Sequence, residues 1–323
     1  MKVTGEIYIN GAALWVPEGV YQADDAVLNG VISGPDARGE GIEALPVSTG
    51  ETAPEMAAEA CAVALAAAGK RPHEVDALVY AWVFRQGAGV ATPAHRVARL
   101  LGADRCVALG VQQMSNGGAA ALELAVARLL TEPTCRTAVV ATGDEFRSLP
   151  YDRWRAAPPL GDGATAVVLT REPGEQIIRS VVSVGEPALE LEFPGRDPFA
   201  PLTDAPVSPF GHPDAVRGFR RCVGTAVGRA LDEAGLAADD LGISAVLPTR
   251  GGRSQLRHLI TAGLPAPLRA KVRQLGVKTG HVGAGDLIAN LAEHGAPAEG
   301  RHHILVSIAG GMTVTAVVTS GTG

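Results

Sequence analysis

Short apolar runs and longer helical-period stretches take turns along the chain. Ile7–Leu14, Val75–Val83, Ala138–Thr142, Ala164–Thr170, Ile177–Ser183 and Ala245–Leu247 are short runs bounded by Gly, Pro or charged residues, which predicts buried strands. Helices are predicted over Thr52–Lys70, where Met56, Ala57, Cys61, Ala64 and Leu65 recur near helical period behind Thr52 as a cap. Pro93–Leu101, Arg217–Ala234 and Gly251–Ala262 read the same way, with Gly102 stopping the first of these. Pro17–Ser48 reads as loop with a short helix. Glu186–Val216 is long, Pro-rich and irregular, and loops of that length in a compact domain are usually functional or mobile. Strands alternating with helices give a sheet covered by helices.

One strand-turn-helix pattern is written twice. Val107–Gly118 runs into the helical stretch Ala119–Leu130, and Val277–Asp286 runs into Leu287–His294. Ser115 stands in the first copy where His281 stands in the second, 166 positions later (281 − 115). The next strands, Thr137–Asp144 and His303–Gly310, begin at the same offset (303 − 137). Equal offsets across separate elements point to duplication. Pro173-Gly174-Glu175 marks the joint, so the predicted halves are 1–172, carrying the Ser, and 173–323, carrying the His and a glycine turn.

Length and composition fit this picture. The chain has 323 residues, 46% of them apolar and 19% charged, which is globular and leaves room for two full cores. The net charge of −6, with no basic block interleaved with aromatics, argues against a nucleic-acid partner. The four cysteines lack CxxC spacing, so no metal site is expected, and Cys61, Cys135 and Cys222 read as buried residues in a reducing compartment. No apolar run reaches membrane-spanning length and no signal-like apolar segment opens the chain. The expectation is a cytoplasmic protein without membrane contact.

Ser115 and His281 are the candidate chemistry. A residue at a helix start meets outward-pointing N–H groups, which stabilise an oxyanion; capping the helix is the equally ordinary alternative for a Ser. Gly117-Gly118 lets a substrate approach the backbone. A Ser nucleophile needs a base, and His281 is a candidate; Asp286, five residues on, would orient it if His281 lies in the turn before the helix. Ala309-Gly310-Gly311-Met312-Thr313 reads as a tight turn, or as the source of a second oxyanion N–H. His73, His294, His302 and His303 fall in polar contexts and read as surface residues.

Gln113-Met114-Ser115-Asn116-Gly117-Gly118, Gly161-Asp162-Gly163-Ala164, Gly280-His281-Val282-Gly283-Ala284 and Gly310-Gly311-Met312-Thr313, in this order, carry a resemblance. The chain resembles the thiolase superfamily, and within it the type III ketosynthase-like (3-oxoacyl-carrier-protein synthase III-like) branch. The resemblance implies a thiolase-like five-layer α/β/α/β/α fold from two duplicated halves, a homodimer, and an acyl-CoA or phosphopantetheinyl carrier protein as substrate with no bound cofactor. Ser115 falls on the family's nucleophilic Cys, His281 on its Asn and Thr249 on its His. Those departures suit an acyltransferase with Ser115 as nucleophile, His281 as base, Asp286 as orienter and an oxyanion hole from Ser115 and Gly310. The acyl group would pass to an alcohol, amine or carrier thiol in polyketide or other specialised metabolism. The rival is a starter-unit synthase condensing acyl-CoA with malonyl carrier protein. Arg153 falls on an Arg that meets the adenine of CoA in relatives, and Arg153 and Thr249 are carried over as donor-binding candidates. Trp82, Phe84 and the Glu186–Val216 loop are candidates for lining the acyl or acceptor pocket.

Overall fold

The structure is a computed structural model that describes residues 1–88, 90–192, 213–310 and 312–323, the side chains of 190–192 excepted. The first half contains strands β1 (Tyr8–Trp15), β2 (Gly19–Gln22), β3 (Ala44–Val47), β4 (Ala77–Ala81), β5 (Val107–Val111), β6 (Thr137–Asp144) and β7 (Gly163–Thr170). Its helices are α1 (Ala23–Leu28), α2 (Gly34–Glu40), α3 (Ala53–Ala67), α4 (Pro93–Leu101) and α5 (Gly117–Thr131). The second half adds β8 (Gln176–Gly185), β9 (Ile243–Pro248), β10 (His302–Ile308) and β11 (Thr313–Gly321). Its helices are α6 (Pro213–Ala234), α7 (Arg253–Gln255, continued by a π-helical stretch over Leu256–Thr261) and α8 (Asp286–His294).

Nine strands form one sheet in the order β5-β4-β6-β7-β1-β8-β11-β10-β9, while β2 and β3 pair separately. The repeat is visible in this order. β4-β6-β7-β1 at one end mirrors β9-β10-β11-β8 at the other, each with a parallel pair followed by antiparallel neighbours. β4 and β9 begin 166 positions apart (243 − 77), the offset that separates Ser115 from His281. The halves join edge to edge through Tyr8–Ile177 and Ile9–Gln176.

Three apolar clusters fill the spaces between layers. One packs α3 and α4 on the first half's strands; another packs α6 on the second half's. The third surrounds α5 and α8, which lie against each other between the two sets of strands. The layering is therefore helix, sheet, helix, sheet, helix. Strands β6 and β7 are buried along their whole length, as their unbroken apolar runs predict. At α3, whose cap position is Thr52 as predicted, Glu55 reaches back and accepts from both the Thr52 N–H (2.9 Å) and its hydroxyl (2.7 Å), the Glu half of a capping box. Among the described residues no helix is long and apolar enough to cross a membrane.

Several expectations need correction. The strand expected before His281 is a turn over Val277–Thr279. Gly276 and Gly280 both take left-handed φ values, +78° and +60°, and the Gly280 N–H closes onto the Gly276 carbonyl at 2.8 Å. A chain bent by two such glycines cannot extend into a ladder. His303 is also not on the surface. It lies within β10, 4% exposed, paired with Ala245 and Thr319 across neighbouring strands. Burial pushes its imidazole down to about 4. Of the irregular 186–216 segment, Pro187–Glu192 is 3-10 helical, 193–212 lies outside the described residues, and α6 starts earlier than predicted.

Helix α5 approaches the 3-10 turn Gly283–Gly285, just before α8, closely at Gly118. A Cβ there would sit 2.4 Å from the Ala284 carbonyl oxygen, which is backbone and cannot swing aside. Gly118→Ala is expected to destabilise the protein by about 1–3 kcal/mol through overpacking. A urea-unfolding midpoint equal to that of the unsubstituted chain would contradict this close contact.

Candidate active site

Ser115 sits in a tight elbow between β5 and α5. Met114 takes φ +48°, the Asn116 N–H bonds the Gln113 carbonyl at 3.2 Å, and the Gly117 N–H bonds the Met114 carbonyl at 2.8 Å. Helix α5 starts at Gly117 with Asn116 as its cap, so Ser115 stands two residues before the helix instead of at its first turn. The Asn116 amide donates to the Gln113 side chain at 2.7 Å and braces the elbow. Ser115 is half-buried.

His281 reaches this elbow from the second half. Its chain is pinned by its N–H to the Pro159 carbonyl (2.9 Å) and by the Gly161 N–H to its own carbonyl (3.0 Å). His281 Nε2 lies 2.7 Å from Ser115 Oγ. On the other side of the ring, Nδ1 lies 2.6 Å from Asp286 Oδ2. Asp286 opens α8, and the 3-10 turn Gly283–Gly285 folds the five-residue spacing back so that the two side chains meet. Asp286 is fully buried and also accepts the Val282 N–H on Oδ1 (2.9 Å) and the Arg250 N–H on Oδ2 (2.7 Å). A carboxylate so occupied can only accept, so the imidazole proton is assigned to Nδ1 and Nε2 is left to receive the Ser115 hydroxyl.

Burial disfavours the imidazolium of His281. The charge of Asp286 and its hydrogen bond, together with Asp144, outweigh that, while Arg250 opposes them; the net direction is upward. Asp144, at the end of β6, was not singled out by its sequence context. It is fully buried and accepts the Val83 and Phe84 N–H groups on Oδ1 (both 2.8 Å) and the Ala284 N–H on Oδ2 (2.9 Å). Burial pushes its carboxyl up to about 7 despite those donors. It ties the segment after β4 to the turn that folds Asp286 back onto His281.

The second oxyanion candidate, Gly310, lies in the turn after β10. The Ala309 N–H bonds the Thr313 carbonyl (3.0 Å) and the Met312 N–H bonds the Ala309 carbonyl (3.1 Å). Gly311 lies outside the described residues. Ser307 Oγ donates to the Ser115 carbonyl at 3.4 Å, so the end of β10 abuts the elbow.

The two donor-binding candidates are not presented to a ligand. Arg153 is 8% exposed, and its guanidinium is held by Asp162 (2.9 Å) and by the Pro46 carbonyl (3.2 Å). Asp162 is fully buried, and it draws the Arg inward. Thr249 Oγ1 accepts the Ile308 N–H at 2.9 Å and donates to the Val306 carbonyl at 3.4 Å, which stitches β9 to β10. Trp82 stacks on Tyr80 with centroids 5.6 Å apart, and Phe84 packs on Phe146 at 5.8 Å. A cavity of about 500 Å³ is lined among others by Ile32, Trp154, Pro159, Arg220, His258 and Leu259; Ser115, His281 and Asp286 are not among its lining residues. Pro159 connects it to His281, whose N–H its carbonyl accepts.

This layering is the thiolase-like α/β fold, here with Ser, His and Asp side chains in hydrogen-bonded series between its halves. No family model matches the chain. The acyltransferase ChlB3 has a solved structure that superimposes with a TM-score of 0.85 at 29% identity, covering 98% of each chain. A beta-ketoacyl-[acyl-carrier-protein] synthase III of Synechococcus sp. (strain WH7803) is 32% identical over 170 residues, 50% of this chain and 48% of that protein. Another, from Sphingopyxis alaskensis, is 27% identical over 265 residues, 74% of this chain and 79% of that protein. The chain thus spans about half the length of the first of these relatives.

Proposed function

We propose that the chain is an acyltransferase working through a Ser115 ester. The observation that carries this reading is the 2.7 Å contact between Ser115 Oγ and His281 Nε2, backed by Asp286 at 2.6 Å. The two halves, 1–172 and 173–323, each supply one side of the reaction. Ser115 Oγ attacks the carbonyl carbon of an acyl-CoA or acyl carrier-protein thioester while His281 Nε2 takes its proton. The carbon–sulfur bond breaks, and the departing thiolate receives that proton. An alcohol, amine or carrier thiol then enters, gives its proton to His281 and attacks the serine ester; Ser115 leaves and is reprotonated. Asp286 accepts the hydrogen bond of the Nδ1–H throughout and stabilises the imidazolium. The N–H groups of Ser115 and Gly310 hold the oxyanion. Every proton and electron pair is accounted for without a resident cofactor.

Mass spectrometry tests this directly. Incubation with a panel of acyl-CoA and acyl carrier-protein donors is expected to add one acyl group, lost in Ser115→Ala. Unmodified protein across the panel would sink the reading.

A homodimer is part of the proposal. β5 is the outer strand of the sheet, yet Val107 is 43% and Leu109 40% exposed, and apolar edges of this kind invite pairing with another copy. A monomeric mass by light scattering would contradict it. A second reading, decarboxylative condensation, is favoured by the name of the synthase relatives. Against it, the Thr249 hydroxyl is spent on backbone groups. Carbon dioxide release from malonyl carrier protein separates the two.

A further inference from the structure

Arg250 is among the most deeply buried large side chains in the protein, 1% exposed, and the triad chemistry does not use it. It follows β9 and Thr249. Its own N–H donates to Asp286 Oδ2 at 2.7 Å, the same oxygen that faces His281. Its side chain then reaches three further partners. Nε donates to Asn290 Oδ1 (2.9 Å), Nη1 to Thr279 Oγ1 (2.7 Å) and Nη2 to Glu293 Oε2 (2.6 Å). Asn290 returns a bond to the Pro248 carbonyl at 2.6 Å, closing a ring between β9 and α8. Asp286, Asn290 and Glu293 fall on one face of α8, at spacings of four and three. Thr279 belongs to the turn that delivers His281. The guanidinium is therefore fastened to both segments that carry the base and its orienter. Gly276 closes the cage: a Cβ there would come within 2.9 Å of the Arg250 side chain.

We infer, on the acyltransferase reading, that Arg250 is a positioning residue that fixes the Asp286–His281 pair and offsets the negative charge around the imidazole. The charge inventory near His281 explains the need. Asp286 faces it from α8 and Asp144 from β6, and both favour the imidazolium; Arg250 is the cation set against them. Arg153 and Asp162, beside the Gly161 N–H that bonds the His281 carbonyl, neutralise each other. Glu293, at the outer end of α8, partly neutralises Arg250. Without Arg250, Asp286 and Asp144 would push the imidazole further up, which weakens it as the base for Ser115.

The two ends of this ion pair predict opposite shifts. Arg250→Met removes the cation, so the His281 titration midpoint should rise by about one pH unit. Glu293→Gln leaves the cation and removes its counter-charge, so the midpoint should fall. Arg250→Lys, which keeps the charge, should lie closer to the unsubstituted protein than Arg250→Met does. The measurement is an NMR titration of ring-labelled histidine in the full chain, with His281 assigned through His281→Asn. It is paired with the pH dependence of single-turnover Ser115 acetylation by p-nitrophenyl acetate, which is expected to slow about tenfold at neutral pH in Arg250→Met. Unmoved midpoints, or shifts of the same sign in Arg250→Met and Glu293→Gln, would reduce Arg250 to a structural cross-link and overturn the inference. If Arg250→Met does not fold, the sign of the Glu293→Gln shift decides alone. Absence of any Ser115 adduct in the unsubstituted protein would sink the acyltransferase reading, while the NMR midpoints would still decide the role of Arg250.

Discussion

Asp286→Asn should slow acyl transfer by about three to four orders of magnitude with little change in fold. The reason lies in what surrounds the carboxylate. Its Oδ2 accepts from His281 Nδ1 and from the Arg250 N–H, and its Oδ1 accepts from the Val282 N–H. An amide has one acceptor and one donor end. Two backbone N–H groups face the two oxygens from fixed positions, so either orientation sets the amide NH₂ against a donor. If its oxygen stays with Val282, the NH₂ faces Nδ1 and drives the proton to Nε2. Nε2–H cannot take the Ser115 proton, and the nucleophile is lost though every heavy atom remains in place. Steady-state turnover measures the loss, and nitrogen-15 NMR of the ring reads the tautomer. Near-normal turnover in Asp286→Asn would mean that Asp286 does not set the proton on His281.

The parts of this site legible in the sequence are those that the duplication marks. Ser115 and His281 stand at equal places in two copies of one unit, and β4 and β9 keep the same offset. That regularity is enough to bring a hydroxyl and an imidazole between two halves. It says nothing about Asp286, whose spacing fits neither a helix face nor a strand; the 3-10 turn at Gly283–Gly285 makes the contact possible. Asp144 and Arg250 were invisible for a different reason. Each acts through backbone N–H groups or buried partners from distant segments, which local pattern does not encode. A carboxylate closing a mostly apolar strand, as Asp144 does at the end of β6, is the one available signal. His303 misled because Arg301 and His302 colour its neighbourhood polar, whereas β10 lies between β9 and β11 and is buried on both faces from His303 onward.

Arg153 gives a sharper separation between likeness and structure. By family likeness it is a donor contact; by geometry it is one half of a buried ion pair with Asp162. The two roles predict different losses. Removing one partner of a buried pair leaves the other charged and desolvated, which costs about 3–5 kcal/mol. Here the Ser48 and Phe146 N–H groups still donate to Asp162, at 2.8 and 2.9 Å, so Arg153→Met belongs near the lower end of that range. Denaturant unfolding should show that loss, while KM for a CoA donor stays unchanged. Replacing both partners, Arg153→Met with Asp162→Asn, should recover part of the stability, because the stranded charge is then gone. A raised KM with an unmoved unfolding midpoint would instead assign Arg153 to the donor. In the structure the guanidinium also holds the Pro46 carbonyl, which the Asp162 N–H shares at 2.9 Å. That cross-link fastens β3 to the segment whose Gly161 N–H bonds the His281 carbonyl. Loosening it should therefore lower kcat modestly through the placement of His281, an effect that donor concentration cannot overcome.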